Sequence, residues 1–314
     1  MANVIKIKKG LDINLKGKAS DVLLNGGKSE SYAIVPDYYN GILPKVVAKV
    51  GEKVKAGSVL MIDKNRPEIK FVSPVSGEVT AVNRGEKRKV LSIVVKPDAQ
   101  IEYEEFGKKN VASLQGAEVK EVLLNAGMWP FIKQRPYDIV AAPLDTPRDI
   151  FVSAFYSAPL APNFDFIVKG QEADFQTGLN ALAKLTNGKV YVGVRSGSVV
   201  SGMKGVEIVE VEGPHPAANV GVQINHIKPV NKGEVVWTVN PADVIVIGRL
   251  FNKGVADFSR MVAITGSETT ERGYVKTISG CTIKSLVNGK VLGQEHIRII
   301  SGNVLTVYQG KYGW

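Results

Sequence analysis

A single cysteine, Cys281, stands in 314 residues. That scarcity excludes a disulfide framework, a four-thiolate iron–sulfur cluster and a multi-cysteine zinc site built from this chain alone, and it fits a reducing compartment. Histidine is as sparse: His215, His226 and His296 show no metal-ligand spacing. No apolar run approaches the roughly 18 to 20 residues that cross a bilayer; IVAAPL at 139–144 has the length of a strand. The start, MANVIKIKKG, is basic with no apolar signal core behind it. Neither a GxGxxG nor a GxxxxGK[ST] string occurs. The nearest stretch, VRSGSVVSGMKG at 194–205, runs into a strand pattern, whereas a phosphate cradle needs a helix start there. The expectation is a soluble, basic, intracellular protein whose membrane role is peripheral.

What is present is enough chain for two or three domains at roughly 100 to 200 residues each. Hydrophobic residues make up 44% and charged residues 22%. Lys plus Arg total 40 against 30 Asp plus Glu, a net charge of +10, which favours anionic partners without choosing among them. Residues 1 to about 35 alternate apolar and polar and end in NGGKSES, reading as short strands and a loop that lie against a larger body. From 36 to 100 the pattern is all β. A GEK triplet recurs at 51–53 and 85–87 between valine-rich strands, which predicts a duplicated hairpin and a small two-fold sandwich.

Between 101 and 254 strands and helices alternate. SLQGAEVKEVLLNAG places Val119, Val122, Leu123 and Ala126 on one helical face, with Gly127 as the stop. YDIVAA, DIFVSAF, KVYVGVR and VEIVEVEG read as strands. QEADFQTGLNALAKLTNGK reads as a helix ended by Asn187 and Gly188. NPADVIVIGRLFNKG reads as another, with Asn240 as N-cap, Pro241 at its first position and Gly254 as terminator. This alternation argues for a layered α/β domain. From 255 to 314 strands accompany one short helical piece, TIKSLVNG, in the manner of a small β-grasp module. The final KYGW falls inside sequence that still reads as folded, so a continuation is expected.

Each candidate site has a bland competitor. His215, between prolines, suits a turn or cap better than acid–base work, because no nucleophile or carboxylate pattern accompanies it. The basic turn NRGEKRK at 83–89 is by default a solvated turn, with docking to an acidic partner or membrane surface as the functional alternative. It has no interleaved aromatics, which disfavours nucleic acid. Aromatic residues concentrate in PDYYNG at 36–41 and GMWPFIKQRPYD at 127–138. There Trp129 and Phe131 could stack on a flat ring, while Arg135 or Tyr38 could donate hydrogen bonds to carbonyl oxygens; the competing reading is interdomain packing.

Longer strings carry more. IKIKKGLDI, FVSPVSGEVTAVNRGEKR, KQRPYD, GLNALAKLTNGKVYV, EGPHPAANVG and IRIISGNVL, collinear over the whole chain, resemble the A-type subunit family of the sodium-translocating NADH:quinone reductase. The resemblance implies about the first two thirds of such a protein. It implies a peripheral protein on the cytoplasmic side of a bacterial inner membrane, with other reductase subunits, quinone and the membrane surface as partners and no nucleic acid. NADH, flavins and iron centres belong to the partner subunits, which pass electrons to ubiquinone or menaquinone while sodium is exported. No catalytic, metal or covalent cofactor site is expected in this chain. Tyr38, Trp129, Phe131 and Arg135 become the candidate quinone residues.

Module by module, 36–100 is similar to a biotinyl/lipoyl barrel-sandwich hybrid, with VGEKVKAGSVL and SPVSGEV in the two characteristic places. Its hairpin tip reads DKNRPE, not DKA or MKM, so Lys64 is a poor attachment site. Residues 101–254 resemble the Rossmann-like flavin-binding domain of complex I and of its Rnf electron-transport counterpart, but GMWPFIKQRP replaces the glycine-rich loop and removes its amide nest. The last segment resembles the soluble-ligand-binding β-grasp module of those same proteins, without the cysteine motif that follows it there. The alternative reading is an autonomous flavin-binding electron-transfer protein of Rnf or complex I type.

Overall fold

The computed structural model describes residues 3–26, 28–293, 297–305, 308–309 and 313–314. His296 lies outside them, as do Lys311 and Tyr312 of the final KYGW.

The valine-rich segment after residue 30 folds as two facing sheets. One orders the strands Tyr32–Ile34, Val90–Pro97, Gly77–Arg84 and Lys53–Val54, the other Pro44–Val46, Val59–Asp63 and Lys70–Val72. All their pairings are antiparallel. Alternating residues such as Leu60, Phe71, Val79, Ile93 and Val95 fill the space between the sheets. The second GEK triplet caps the hairpin joining Gly77–Arg84 to Val90–Pro97, in a turn where Lys87 and Arg88 take positive φ.

The middle of the chain forms one seven-stranded sheet in the order Asn3–Lys6, Glu207–Glu212, Val190–Val194, Ile150–Ser153, Val236–Val239, Ile132–Arg135, Ile139–Val140. The first five run parallel, and the last two close one side as an antiparallel hairpin. Helices Gly116–Asn125, Glu172–Ala183, Val220–Ile227 and Pro241–Lys253 belong to this layer. The last begins and ends as its sequence dictates: the Asn240 side chain accepts from the Ala242 N–H at 3.0 Å, and Gly254 closes it at φ 78°. Helix Glu172–Ala183 stops a turn before the Asn187–Gly188 terminator read from sequence. Leu185 dives into the core there, and the Thr186 hydroxyl donates to the Pro147 carbonyl at 2.8 Å, turning the chain early.

The C-terminal module is a three-stranded sheet of Ser259–Ile264, Gly273–Ile278 and Leu23–Leu24. A short helix Ile283–Val287 is capped by Thr282, and a two-stranded ribbon Ile300–Ser301 with Tyr308–Gln309 completes the module.

The N-terminal segment is the thread of the molecule. Asn3–Lys6 extends the large parallel sheet, Leu23–Leu24 joins the C-terminal sheet, and Tyr32–Ile34 enters the sandwich. One continuous apolar core accordingly runs from Leu60 and Val95 through Trp129 and Leu250 to Tyr274 and Cys281.

Candidate functional site

Where the three modules meet, their side chains enclose a cavity of about 430 Å³. From the sandwich come Tyr38, Tyr39 and Phe71; from the α/β layer Phe131, Lys133 and Asp243; from the C-terminal module Phe258, Arg260 and Cys281; Trp314 also borders it. The geometry starts locally. Pro36 opens a single 3-10 turn, Pro36–Tyr38, closed by the Tyr39 N–H donating to the Pro36 carbonyl at 2.9 Å. That turn projects two adjacent tyrosines toward the junction. Tyr39 meets Phe71 edge-on with centroids 4.7 Å apart, and Phe131 meets Phe258 in the same way at 6.1 Å. The Tyr38 hydroxyl donates to the Trp314 carbonyl at 2.8 Å.

The polar groups of this cavity are short of acceptors. Lys133 holds its ammonium 5.2 Å from the Tyr39 ring centroid, and no carboxylate of the described residues pairs with it. Burial pulls that ammonium below its ordinary value, while Asp138 and Asp243 pull it back up from a distance. Arg260 donates to Asp243 at 2.9 Å, yet its Nε–H is buried with no acceptor among the described residues, as is the Trp314 indole N–H. Burial pushes the Tyr39 hydroxyl up to about 12 and the Cys281 thiol above its usual value, so both stay protonated at neutral pH. Donors without acceptors, inside aromatic walls, suit a flat ligand that brings acceptor oxygens.

Of the four residues picked from sequence, two line the cavity and two do not. Tyr38 and Phe131 stand in its wall. Trp129 is wholly buried, crosses Trp237 at 5.3 Å and donates its indole N–H to the Ala141 carbonyl at 2.8 Å. It therefore has no free face for stacking and serves as the post that carries Phe131, two residues on. Arg135 turns away to Asp138 at 3.4 Å. Sequence reasoning missed Lys133, which sits in the recognised KQRPYD string, and Tyr39, which sits in PDYYNG. It had no route to Asp243 or Arg260, which read as an ordinary helix-start charge and an ordinary strand residue.

The other features singled out from sequence have structural employment. Asp63, wholly buried beside Lys64, accepts from the Leu43 N–H (3.0 Å), the Asn65 N–H (3.2 Å) and Arg66 Nε (2.8 Å). Arg66 in turn donates to the Gly41 and Val140 carbonyls, pinning the hairpin tip to the α/β layer. His215 joins the N-terminal segment to the loop after strand Ile150–Ser153: its N–H donates to Asp12 at 2.8 Å and its Nδ1 lies 3.0 Å from the Ser157 hydroxyl. His226 Nδ1 bonds the Val222 carbonyl of its own helix. In the basic turn, Lys89 pairs with Asp37 at 2.8 Å.

A second cavity, of about 660 Å³, opens where strands Ile150–Ser153 and Val190–Val194 end. That is the end of a parallel sheet where ligands commonly bind. Residues 12–21 cross it, and its carboxylates are already engaged: Asp12 by the His215 N–H, Asp21 by Asn163, and Asp165 by Ser198 and the Val199 N–H. Its bordering loop, SAPLAPN at 157–163, has prolines where a phosphate cradle has glycines.

Three family models match successive stretches of the chain. A family model described as the NqrA N-terminal barrel-sandwich hybrid domain matches residues 5–98. One described as the NqrA second alpha/beta domain matches 114–256, and one described as the NQRA C-terminal domain matches 261–307. Among similar proteins, the A-type subunit of the Na(+)-translocating NADH-quinone reductase of Hahella chejuensis is 38% identical over 307 residues, covering 96% of this chain and 68% of that protein. Its counterpart in Photorhabdus laumondii is 37% identical over 306 residues, with 96% and 68% covered. That of Neisseria meningitidis serogroup A is 35% identical over 317 residues, with 99% and 71% covered. A solved NAD+-reducing NiFe-hydrogenase covers 65% of this chain and 47% of its own at 10% identity and a TM-score of 0.37, too slight a likeness to argue from.

Proposed function

This chain belongs to the NqrA family, the A-type subunits of the Na+-translocating NADH-quinone reductases, and from that premise we propose that it contributes assembly and a quinone-binding cavity to the complex. The complex couples NADH oxidation and quinone reduction to sodium export, and this chain is one of its peripheral subunits. Among the described residues no helix is long and apolar enough to cross a membrane. We place the chain on the cytoplasmic face, beside membrane subunits or anionic headgroups that its charge of +10 would favour.

The observation that carries the quinone reading is the acceptor shortage of the junction cavity. A quinone headgroup is flat, apolar at its rim and able only to accept hydrogen bonds. The Arg260 Nε–H and the Trp314 indole N–H are buried donors without acceptors among the described residues, Lys133 has no carboxylate paired with it there, and Tyr39, Phe71, Phe131 and Phe258 supply ring walls. Tyr38 and Phe131 line that space directly, and Trp129 carries Phe131 from behind. Photo-crosslinking with an azidoquinone should label residues 36–41 and 127–138. Label confined to other segments would sink the reading.

We read the α/β layer as Rossmann-like, since its four central parallel strands take the order third, second, first, fourth along the chain, with the order reversing between Ile150–Ser153 and Val236–Val239. The C-terminal sheet with its short helix we read as an incomplete β-grasp module. Redox centres we assign to the partner subunits. The autonomous flavoenzyme alternative is not favoured: the relatives are named as subunits of the sodium-translocating reductase, and the loop at 127–136 is built from a buried tryptophan, a 3-10 turn and a strand, with no run of free amides for a flavin phosphate.

A further inference from the structure

We infer that the junction cavity selects planar quinoid ligands carrying a negative charge on oxygen, and that Lys133 is the specificity-determining residue. The inference rests on the quinone reading of that cavity and goes beyond it. Among its lining residues the formal charges are Lys133 and Arg260 against Asp243 alone, 2 − 1 = +1. Asp243, at the start of helix Pro241–Lys253, is already committed to Arg260 of strand Ser259–Ile264 at 2.9 Å. Asp138, from the turn that follows the strand of Lys133, pairs with Arg135 at 3.4 Å. The tyrosine and thiol that complete the surroundings, Tyr39 and Cys281, are held protonated. Lys133 is thus the one lining cation with no anion of its own among the described residues.

An uncompensated ammonium against aromatic walls is in an unfavourable place, as the downward pull on its proton affinity records. A neutral quinone carbonyl would satisfy one of its hydrogens but leave the charge unbalanced. An oxyanion would do both, and in surroundings of low effective dielectric the added ion–ion attraction is worth more than it is in water. Linkage works both ways: the anion that gains from the ammonium also stabilises it in its charged form.

The test compares two near-isosteric ligands on the full chain at neutral pH, a hydroxynaphthoquinone, ionised there, and its uncharged methyl ether, by quenching of protein fluorescence. The anion should bind about tenfold more tightly, the added attraction between ammonium and oxyanion being what the ratio reads. Lys133→Met should bring the two affinities within about twofold of one another, and Lys133→Arg should restore the preference. Lys133→Gln serves if the methionine variant fails to fold. Equal affinity in the unmodified chain, or a preference that survives Lys133→Met or Lys133→Gln, overturns the inference. Equal affinity with azidoquinone label at 36–41 and 127–138 removes only the charge preference. Failure of both ligands, with label elsewhere, removes the quinone site and this inference together.

Discussion

Replacing Arg249 by methionine tests how the cavity wall is held. Arg249 lies in helix Pro241–Lys253 with its side chain only 5% exposed. Its guanidinium reaches the Asp257 carbonyl (3.0 Å), the Ser259 carbonyl (2.9 Å) and hydroxyl (2.8 Å), and the Gln171 amide oxygen (2.6 Å). It also faces the carboxylates of Asp174 at 3.6 Å and Asp257 at 3.4 Å. Residue 259 is followed directly by Arg260, so this one side chain anchors the strand that lines the cavity. Methionine fills similar volume but takes away the donor to the Asp257 and Ser259 carbonyls and the Gln171 amide oxygen, and the cation that faces two carboxylates. Breaking a buried charge network of this kind costs about 3 to 5 kcal/mol. The lower end applies, because Lys253 still meets Asp257 at 3.0 Å and Asn252 still meets Asp174 at 2.7 Å. In a multi-module chain a single unfolding midpoint is poorly defined, so amide hydrogen exchange in Ser259–Ile264 is the appropriate assay. A loss of about 3 kcal/mol appears there as roughly hundredfold faster exchange. A second signature is acid sensitivity. Burial pushes the Asp257 carboxyl up, but Ser259, Arg249 and Lys253 outweigh it and hold it at about 2 against an ordinary 3.8. A depressed carboxyl contributes stability above its unfolded value and loses it as pH falls toward the folded one. Without Arg249 the carboxyl is less depressed, so the variant has less of this stability to lose, and its difference from the parent should narrow as pH falls from about 4 toward 2. Exchange within about threefold of the parent, with an unchanged acid profile, would refute the account of Arg249 as an anchor.

Two further substitutions separate packing from binding. Gly248→Ala places a Cβ against the Asp174 carbonyl, where helices Pro241–Lys253 and Glu172–Ala183 touch backbone to backbone opposite Gly178; overpacking there should cost about 1 to 3 kcal/mol in thermal or urea unfolding. Trp129→Phe removes the hydrogen bond to the Ala141 carbonyl and should lower stability by about 1 to 3 kcal/mol. Quinone affinity in that variant should change less than about twofold, and a larger loss would return Trp129 to the binding surface.

Much of the local structure was legible because it depends on near neighbours. The start and stop of helix Pro241–Lys253 follow from Asn240, Pro241 and Gly254, whose roles involve only the adjoining backbone. The strands at 150–153 and 190–194 follow from the apolar runs that a buried parallel sheet requires, and the strand at 207–212 from apolar–polar alternation, whereas the strand at 236–239 was not read from the sequence. The premature end of Glu172–Ala183 was not legible, because the bond that turns the chain there comes from Pro147, some forty residues upstream. The site divides in the same way. Aromatic density at 36–41 and 127–138 pointed to two segments that border the junction cavity, and Tyr38 and Phe131 line it. It could not say that Trp129 faces the core, since its partner Trp237 lies on a strand more than a hundred residues later.

Composition and pattern by themselves pointed to a β module, an α/β layer and a small mixed module, and one cysteine cannot alone build a disulfide, a four-thiolate cluster or a multi-cysteine zinc site. Long collinear strings tied it to one protein family. Only the tertiary structure decided that the three modules share one core threaded by the N-terminal segment, and that a cavity opens at their junction. It also decided the cavity's chemistry, because an unmatched charge is a property of neighbours in space. Lys133, Asp243 and Arg260 are unremarkable in sequence; brought together, two of them pair and the third is left facing aromatic rings with no anion among the described residues.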